Sequence, residues 1–224
     1  MMRVRARLAA LALAAAIPLV VSACASPGGS SASQACPTSA PTDAQARQIL
    51  ADAGQARVTT NKGTFTLELY GDQAPIATAN FVALARCGFY RDISFHRIIA
   101  GFVAQAGDPQ TKTDRKDFAS LGTGGPGYAF TIETPAPDLH YDPYVVAMAN
   151  AGGTDTNGSQ FFIDLADLNS ELQRSYTIFG KVVDGTDVVD AIGKVPTNGQ
   201  RGVPLDPVII QSIEITAQPA ASPS

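Results

Sequence analysis

The chain has 224 residues, of which 45% are hydrophobic and 16% are charged, and its formal net charge is −4. This length supports one domain with a substantial core plus flanking segments. Three of the 16 basic residues, Arg3, Arg5 and Arg7, lie at the N-terminus, which leaves 13 basic residues against 20 acidic ones. Because nucleic acids and anionic surfaces are bound by clustered lysine and arginine, no nucleic-acid partner is expected.

Residues 1–23 have the features of a bacterial export signal. The three arginines precede an apolar run from Leu8 to Val21, which is too short to span a bilayer and is interrupted by Pro18. The run ends in the letters VSAC, which resemble the lipobox whose cysteine, here Cys24, is lipidated. We therefore expect an extracytoplasmic lipoprotein held at the cell membrane by a lipid anchor on Cys24. The alternative is an ordinary cleaved signal peptide with an incidental cysteine.

A flexible segment and a short helix are predicted next. Residues 25–41 are mostly Ser, Pro, Gly and Ala, a composition that cannot bury a core. Residues 42–54 then read as a helix that Thr42 caps, with Gln45 three residues on and Gly54 at its end. The predicted organisation is a signal peptide, a tether with a short helix, a folded domain and a disordered tail, at residues 1–23, 24–55, 56–217 and 218–224.

The predicted domain begins with a hairpin over 56–71, in which apolar residues alternate with polar ones around an Asn-Lys-Gly turn. A helix follows over 74–90, with Pro75 in its first turn and Gly88 at its end. Many short strands with few helices predict a mostly β fold, an antiparallel β-barrel with helices at its ends. The further strands are expected near 94–99, 102–106, 128–133, 145–149, 160–165, 176–183 and 208–215, and a short helix near 187–192.

Two cysteines follow Cys24. Outside the cytoplasm, Cys36 in the tether and Cys87 near a helix end are permitted to form a disulfide, which would attach the tether to the domain. Two unrelated thiols are the alternative, and the sequence alone leaves both open.

Two other patterns lack the context that their chemistry requires. Residues 122–127 match G-x-G-x-x-G, but the strand-like letters YAFTIE follow where a dinucleotide site needs a helix, so we interpret them as a glycine loop. His96 and His140 are the only histidines, and neither has a carboxylate at ligand spacing. No metal site is predicted, and His96 is interpreted as a hydrogen-bonded core residue.

Two longer motifs identify a family. The stretches FHRIIAGFVAQAGD (95–108) and VAMANAGGTDTNGSQFFI (146–163), together with GFY (88–90) and FGKVVDG (179–185), resemble the cyclophilin family of peptidyl-prolyl isomerases. The resemblance runs from about Ala56 to Thr216. It implies an eight-stranded antiparallel barrel with two helices, which agrees with the predicted elements.

The resemblance also implies a set of site residues. Arg97 falls on the family's catalytic arginine, and Gln105 on the glutamine that orients this arginine and contacts the substrate. Asn150 matches the residue whose backbone holds the peptide. The other implied substrate-binding residues, which form the proline pocket and the adjoining groove, are Phe102, Val103, Ala149, Ala151, Gln160, Phe162, Leu172 and Tyr176. Taken singly, the phenylalanines also fit a core, the glutamines a surface, and Arg97 an ion pair.

Glu171 falls where some relatives carry a tryptophan that is important for cyclosporin, and the chain has no tryptophan. Weak cyclosporin binding is therefore expected, and a submicromolar dissociation constant by calorimetry would contradict it.

The resemblance implies an enzyme that rotates X-Pro bonds, and the export signal suggests that its substrates are proline-containing segments of exported proteins. The alternative is a proline-peptide-binding or holdase module with little turnover. Bond rotation requires no metal or organic cofactor, and a monomer is expected.

Overall fold

The computed structural model describes residues 35–113, 121–199 and 201–218. The predicted export signal with Cys24, the first part of the predicted tether and residues 219–224 lie outside these ranges. No helix within the described ranges combines the length and apolarity needed to cross a bilayer.

The described residues form three α-helices, one 3₁₀ helix and eight strands. In chain order these are α1 (Asp43–Leu50), β1 (Gln55–Thr60), β2 (Gly63–Leu69), α2 (Pro75–Arg86), β3 (Arg97–Ile99), β4 (Val103–Ala106), the 3₁₀ helix (Pro109–Lys112), β5 (Val145–Met148), β6 (Phe161–Asp164), β7 (Ile178–Asp184), α3 (Thr186–Gly193) and β8 (Ile210–Thr216).

All strand pairs are antiparallel, and the sheet order is β3-β4-β6-β5-β7-β2-β1-β8. The sheet curls until the residues before β3 reach its other end, where Ser94 forms a bridge with Ile209. The Phe95 N–H donates to the Val208 carbonyl at 2.8 Å across the same junction. The predicted eight-stranded antiparallel barrel class is confirmed. The two helices implied by the resemblance correspond to α2 and α3, and α1 is an additional helix.

The predicted strand at 128–133 is wrong. This segment makes one isolated bridge, Phe130 with Asn157, and no continuous ladder. The amide of Ile132 donates to the Thr154 carbonyl, and the amide of Glu133 donates to the Thr177 hydroxyl. Apolar alternation gave the strand pattern, but the partners of these amides belong to separate loops.

The first helix begins as predicted. The hydroxyl of Thr42 accepts from the Gln45 N–H, and the Gln45 side chain accepts from the Thr42 N–H, so the capping box is complete. The helix ends at Leu50, short of the expected Gly54, and Ala51 forms its C-cap. Its Ala46 is fully buried, so α1 is packed on the folded domain.

Two further links attach this region to α2. Cys36 and Cys87 form a disulfide with their Cα atoms 5.1 Å apart. The Arg86 guanidinium contacts Asp52 at 2.7 Å and donates to the Ile49 carbonyl at 3.0 Å.

A distant carboxylate completes the N-terminus of α2. Its N-cap residue, Ala74, has no side-chain acceptor. The two oxygens of Glu133 instead accept from the N–H groups of Ile76 and Ala77, at 2.9 and 2.8 Å. Burial raises the pKa of Glu133 while these two bonds oppose the shift.

The sheet divides two hydrophobic clusters. The larger one lies inside the curled sheet, where Phe81 contacts the rings of Tyr90, Phe161 and Phe179. The second, which we call the pocket cluster, lies on the other face. β6 serves both, because alternate residues point to opposite faces: Phe161 and Ile163 join the first, and Phe162 joins the second. The pocket cluster consists of Val103, Tyr141, Val145, Ala147, Phe162, Leu168 and Ile178, with Tyr70, Phe102, Leu139, Ala149, Ala166, Leu172 and Tyr176 partly buried against them.

Candidate active site

Arg97 lies at the start of β3, directly opposite Gln105 of β4. It is half-buried, and its guanidinium carbon lies 5.6 Å from the centre of the Phe102 ring. No described residue forms a hydrogen bond or ion pair with its guanidinium. Burial lowers the pKa of Arg97 from its usual value, with Tyr176 opposing the shift. Since the usual value is far above neutral pH, the group stays a cation with its N–H donors available.

The Gln105 side chain does not bond to Arg97, although the resemblance implied that it orients this residue. Its Nε2 donates to Gln160 Oε1 at 3.0 Å, and Gln160 Nε2 donates to the Gly124 carbonyl at 2.8 Å. Backbone pairing between β3 and β4 holds Gln105 beside Arg97. The two amides therefore connect β4 to the glycine loop.

The residues expected to form the proline pocket come together in the structure. Phe102, Val103, Phe162, Leu172 and Tyr176 all belong to the pocket cluster. The rings of Phe162 and Tyr176 meet edge to face, with centres 5.5 Å apart. These side chains form an apolar surface beside a cation, which suits a proline ring and its adjoining amide.

An adjoining cavity of about 430 Å³ contains the other expected residues. Asn150 uses its side chain within the protein, donating to the Ser175 carbonyl at 2.9 Å and accepting from the Gly152 N–H at 3.1 Å. Its backbone N–H and carbonyl make no hydrogen bond with any described residue, so they are available to a peptide. The cavity is lined by Gln105, Ala149, Asn150, Ala151 and Gln160, together with residues of 122–129 and 156–159.

The glycine loop forms one wall of this cavity. Asp108 fixes it: its Oδ2 accepts from the N–H groups of Gly122 and Gly124, at 2.5 and 3.3 Å. A Cβ on Gly124 would come within 2.1 Å of Asp108 Oδ1, so this carboxylate requires glycine there.

Three other residues lie outside the pocket. Glu171, at the expected tryptophan position, is exposed. His140 is also exposed. His96 is buried as expected, but neither ring nitrogen has a hydrogen-bond partner among the described residues. Burial lowers the pKa of His96 to about 4, so the ring is neutral at physiological pH.

Sequence reasoning missed two residues behind the pocket, Tyr141 and Arg174. Both contact backbone atoms more than 30 positions away, and no local pattern marks such pairs. An aromatic residue and an arginine within otherwise polar segments were the only signals available.

The fold and site together define a protein with a curled antiparallel sheet and an apolar pocket, beside an arginine whose guanidinium has no partner among the described residues. A family model for "Cyclophilin type peptidyl-prolyl cis-trans isomerase/CLD" matches residues 55–215. Peptidyl-prolyl cis-trans isomerase A of Mycobacterium tuberculosis is 42% identical over 179 residues, covering 72% of this chain and 91% of the relative. An isomerase of Helicobacter pylori is 43% identical over 145 residues, with coverages of 64% and 82%.

A crystal structure of a Cryptosporidium parvum cyclophilin-type isomerase has a TM-score of 0.66 and 36% identity, covering 75% of this chain and 99% of that one. The same protein was also crystallised in the presence of the dipeptide Ala-Pro, with a TM-score of 0.65. The chain belongs to the cyclophilin family and is a peptidyl-prolyl cis-trans isomerase.

Proposed function

We propose that this isomerase acts on exported proteins at the outer face of a membrane, and that Arg97 stabilises the twisted X-Pro bond. The observation that carries the second part is the half-buried guanidinium with no described partner beside the pocket cluster. The pattern of residues 1–23, which resembles an export signal, and the disulfide support the first part.

The proposed chemistry follows from the amide itself. Resonance in the C–N bond gives rotation a barrier of about 18–20 kcal/mol. At the twisted state the prolyl nitrogen becomes pyramidal and exposes a lone pair. A guanidinium N–H aimed at this nitrogen binds the twisted state more strongly than the planar one, which is differential transition-state binding.

One donor is not sufficient for a large acceleration. A 10⁵-fold increase requires about 7 kcal/mol, whereas one hydrogen bond to a charged group contributes about 1.5–3 kcal/mol. We assign the remainder to positioning: Phe102 and Phe162 hold the ring, and the free backbone groups of Asn150 hold the peptide. Gln105 contacts the substrate from the adjoining strand.

The proposed location rests on three features. Residues 1–23 have the charge and apolar pattern of an export signal, and Cys24 ends the lipobox-like letters. The Cys36–Cys87 disulfide suits an oxidising compartment. In the producing bacterium, Cys24→Ser is expected to abolish labelling by palmitate and to release the protein from membranes; an unchanged membrane fraction would contradict the anchor.

The test of the chemistry is exchange NMR of an Ala-Pro peptide with the chain from Ala25 onward, which keeps every described residue. We expect Arg97→Ala to lower the catalysed exchange rate at least about 100-fold, because it removes the guanidinium N–H that donates to the prolyl nitrogen in the twisted state. Arg57→Ala is the matched control, because Arg57 is an exposed arginine on β1. If Arg97→Ala retains wild-type exchange, the role of Arg97 is wrong.

A further inference from the structure

One wall of the proline pocket, which we call the far wall, packs against a second segment of the chain on the side away from the pocket. Residues 172–176 carry the wall residues Leu172 and Tyr176. Residues 135–141, which we call the backing segment, contribute Leu139 and Tyr141 to the same pocket cluster. The wall is thus packed between the proline pocket and the backing segment.

Arg174 ties the wall to the backing segment through three backbone carbonyls. Its Nη1 donates to the Leu139 carbonyl at 3.0 Å, and its Nη2 donates to the Pro135 carbonyl at 3.0 Å and to the Ala136 carbonyl. A planar guanidinium presents several donors in a fixed arrangement, which suits three acceptors on one turn of chain. Arg174 therefore clamps the wall rather than serving only as a surface charge.

Tyr141, at the end of the backing segment, forms a second connection to the wall. Its buried hydroxyl lies 2.9 Å from the Tyr176 carbonyl and 3.2 Å from the Gln173 carbonyl, and it accepts from the Tyr176 N–H at 3.2 Å. Because the bonds go to the backbone of residue 176, they fix the point from which the Tyr176 ring extends towards Phe162.

The wall is also joined to the peptide-binding residue. Asn150 Nδ2 donates to the Ser175 carbonyl, one residue before Tyr176. A displacement of residues 174–176 would therefore move both the ring beside the proline and the backbone groups of Asn150. Neither Arg174 nor Tyr141 bonds to Arg97 or Gln105 in the part of the chain that the structure describes.

We propose that Arg174 and Tyr141 are positioning residues that hold the far pocket wall in place and thereby set substrate affinity rather than the rate of bond rotation. This inference rests on the proposed function of the pocket. A wall that touches the proline ring binds the planar and twisted states about equally, so loosening it removes uniform binding. Such a loss raises KM and leaves kcat nearly unchanged.

The test uses the full chain in a mild non-ionic detergent. Exchange NMR at several concentrations of an Ala-Pro peptide gives kcat and KM, and chemical-shift titration with the same peptide gives Kd. The variants are Arg174→Ala, Arg174→Lys and Tyr141→Phe, the last of which removes only the hydroxyl. Arg57→Ala is the matched arginine control.

We expect Arg174→Ala and Tyr141→Phe each to raise KM about fivefold, the effect of one net hydrogen bond, with kcat within about twofold of wild type. Arg174→Lys should recover part of the affinity, since an ammonium group reaches some of the carbonyls but not all three. Arg57→Ala should match wild type.

An unchanged KM in both Arg174→Ala and Tyr141→Phe overturns the inference, as does a fall in kcat with KM unchanged. Failure of the proposed function would be recognised differently, because the wild-type chain would then not accelerate exchange. In that case Kd decides alone: weaker binding by the two variants supports the positioning role, and equal binding overturns it.

Discussion

Arg97 and Asp164 both lie on strands that border the pocket, yet burial affects their charges differently. Burial lowers the pKa of Arg97 from a value so high that the cation persists. Asp164, two residues after Phe162 and opposite Val103, is fully buried, and its carboxylate oxygens have no partner among the described residues. Burial raises its pKa to about 8, with Asp142 adding to the shift. Asp164 is therefore mostly protonated at neutral pH.

The first consequence concerns stability and pH. The folded chain binds the Asp164 proton more tightly than the unfolded chain, so protonation of Asp164 stabilises the fold. This stabilisation is complete below about pH 4 and is lost as the pH rises towards 8. The slope is at most about 1.4 kcal/mol per pH unit. We expect Asp164→Asn, a neutral isostere, to lose less unfolding free energy than wild type between pH 5 and pH 8. Urea unfolding at both pH values measures this.

The exposed Asp206 provides the control, since Asp206→Asn should follow the wild-type pH dependence. Parallel pH curves for wild type and Asp164→Asn would show that this carboxyl does not titrate in that range.

At the scale of elements, α2 depends on a residue that is distant in sequence. The Glu133 carboxylate accepts hydrogen bonds from the N–H groups of Ile76 and Ala77, for which the N-cap residue Ala74 offers no side-chain acceptor. Its segment has no ladder of its own, and this cap together with the Thr177 bond fixes it. The absence of a strand at 128–133 and the presence of the cap on α2 thus have one cause. The hydrogen-bonding groups of this segment pair with α2 and with other loops instead of with a neighbouring strand.

Glu133→Gln should lower the unfolding free energy by about 1–2 kcal/mol, because its amide NH₂ would face a backbone donor. Thermal unfolding with Glu214→Gln as an exposed control measures the difference. Equal melting temperatures for both variants would mean that solvent replaces the cap at no cost.

Local sequence pattern was sufficient to predict an element wherever the contacts that determine the element are close in sequence. Thr42 and Gln45 are three residues apart, and the capping box they predict is present. The alternation of Phe65, Leu67 and Leu69 predicted β2. The resemblance located the residues that meet in the pocket cluster, although their roles stay predictions. The contacts of Arg174 with Leu139 and of Asp108 with Gly124 could not be predicted, because each joins loop residues 16 or more positions apart that meet only in the folded chain.

At the scale of the whole molecule, the disulfide joins residues 51 positions apart. A disulfide typically stabilises by about 2–4 kcal/mol, and the chain-entropy account assigns this to restriction of the unfolded chain. We expect a reductant to lower the melting temperature of wild type towards that of the Cys36→Ser/Cys87→Ser double variant. The double variant itself should not respond to reductant, and a wild type that is equally insensitive would contradict the bridge.

The disulfide also has a mechanical consequence. A pulling force applied to the chain before Cys36 passes through the sulfur–sulfur bond into Cys87 at the end of α2, since a covalent bond carries load before any packed surface separates. Residues 37–86, which include α1, β1 and β2, then bear none of that tension. Oxidised, the domain should resist stretching from its N-terminal side until the chain that follows Cys87 yields, and α1 and α2 should stay in place; reduced, α1 should detach first.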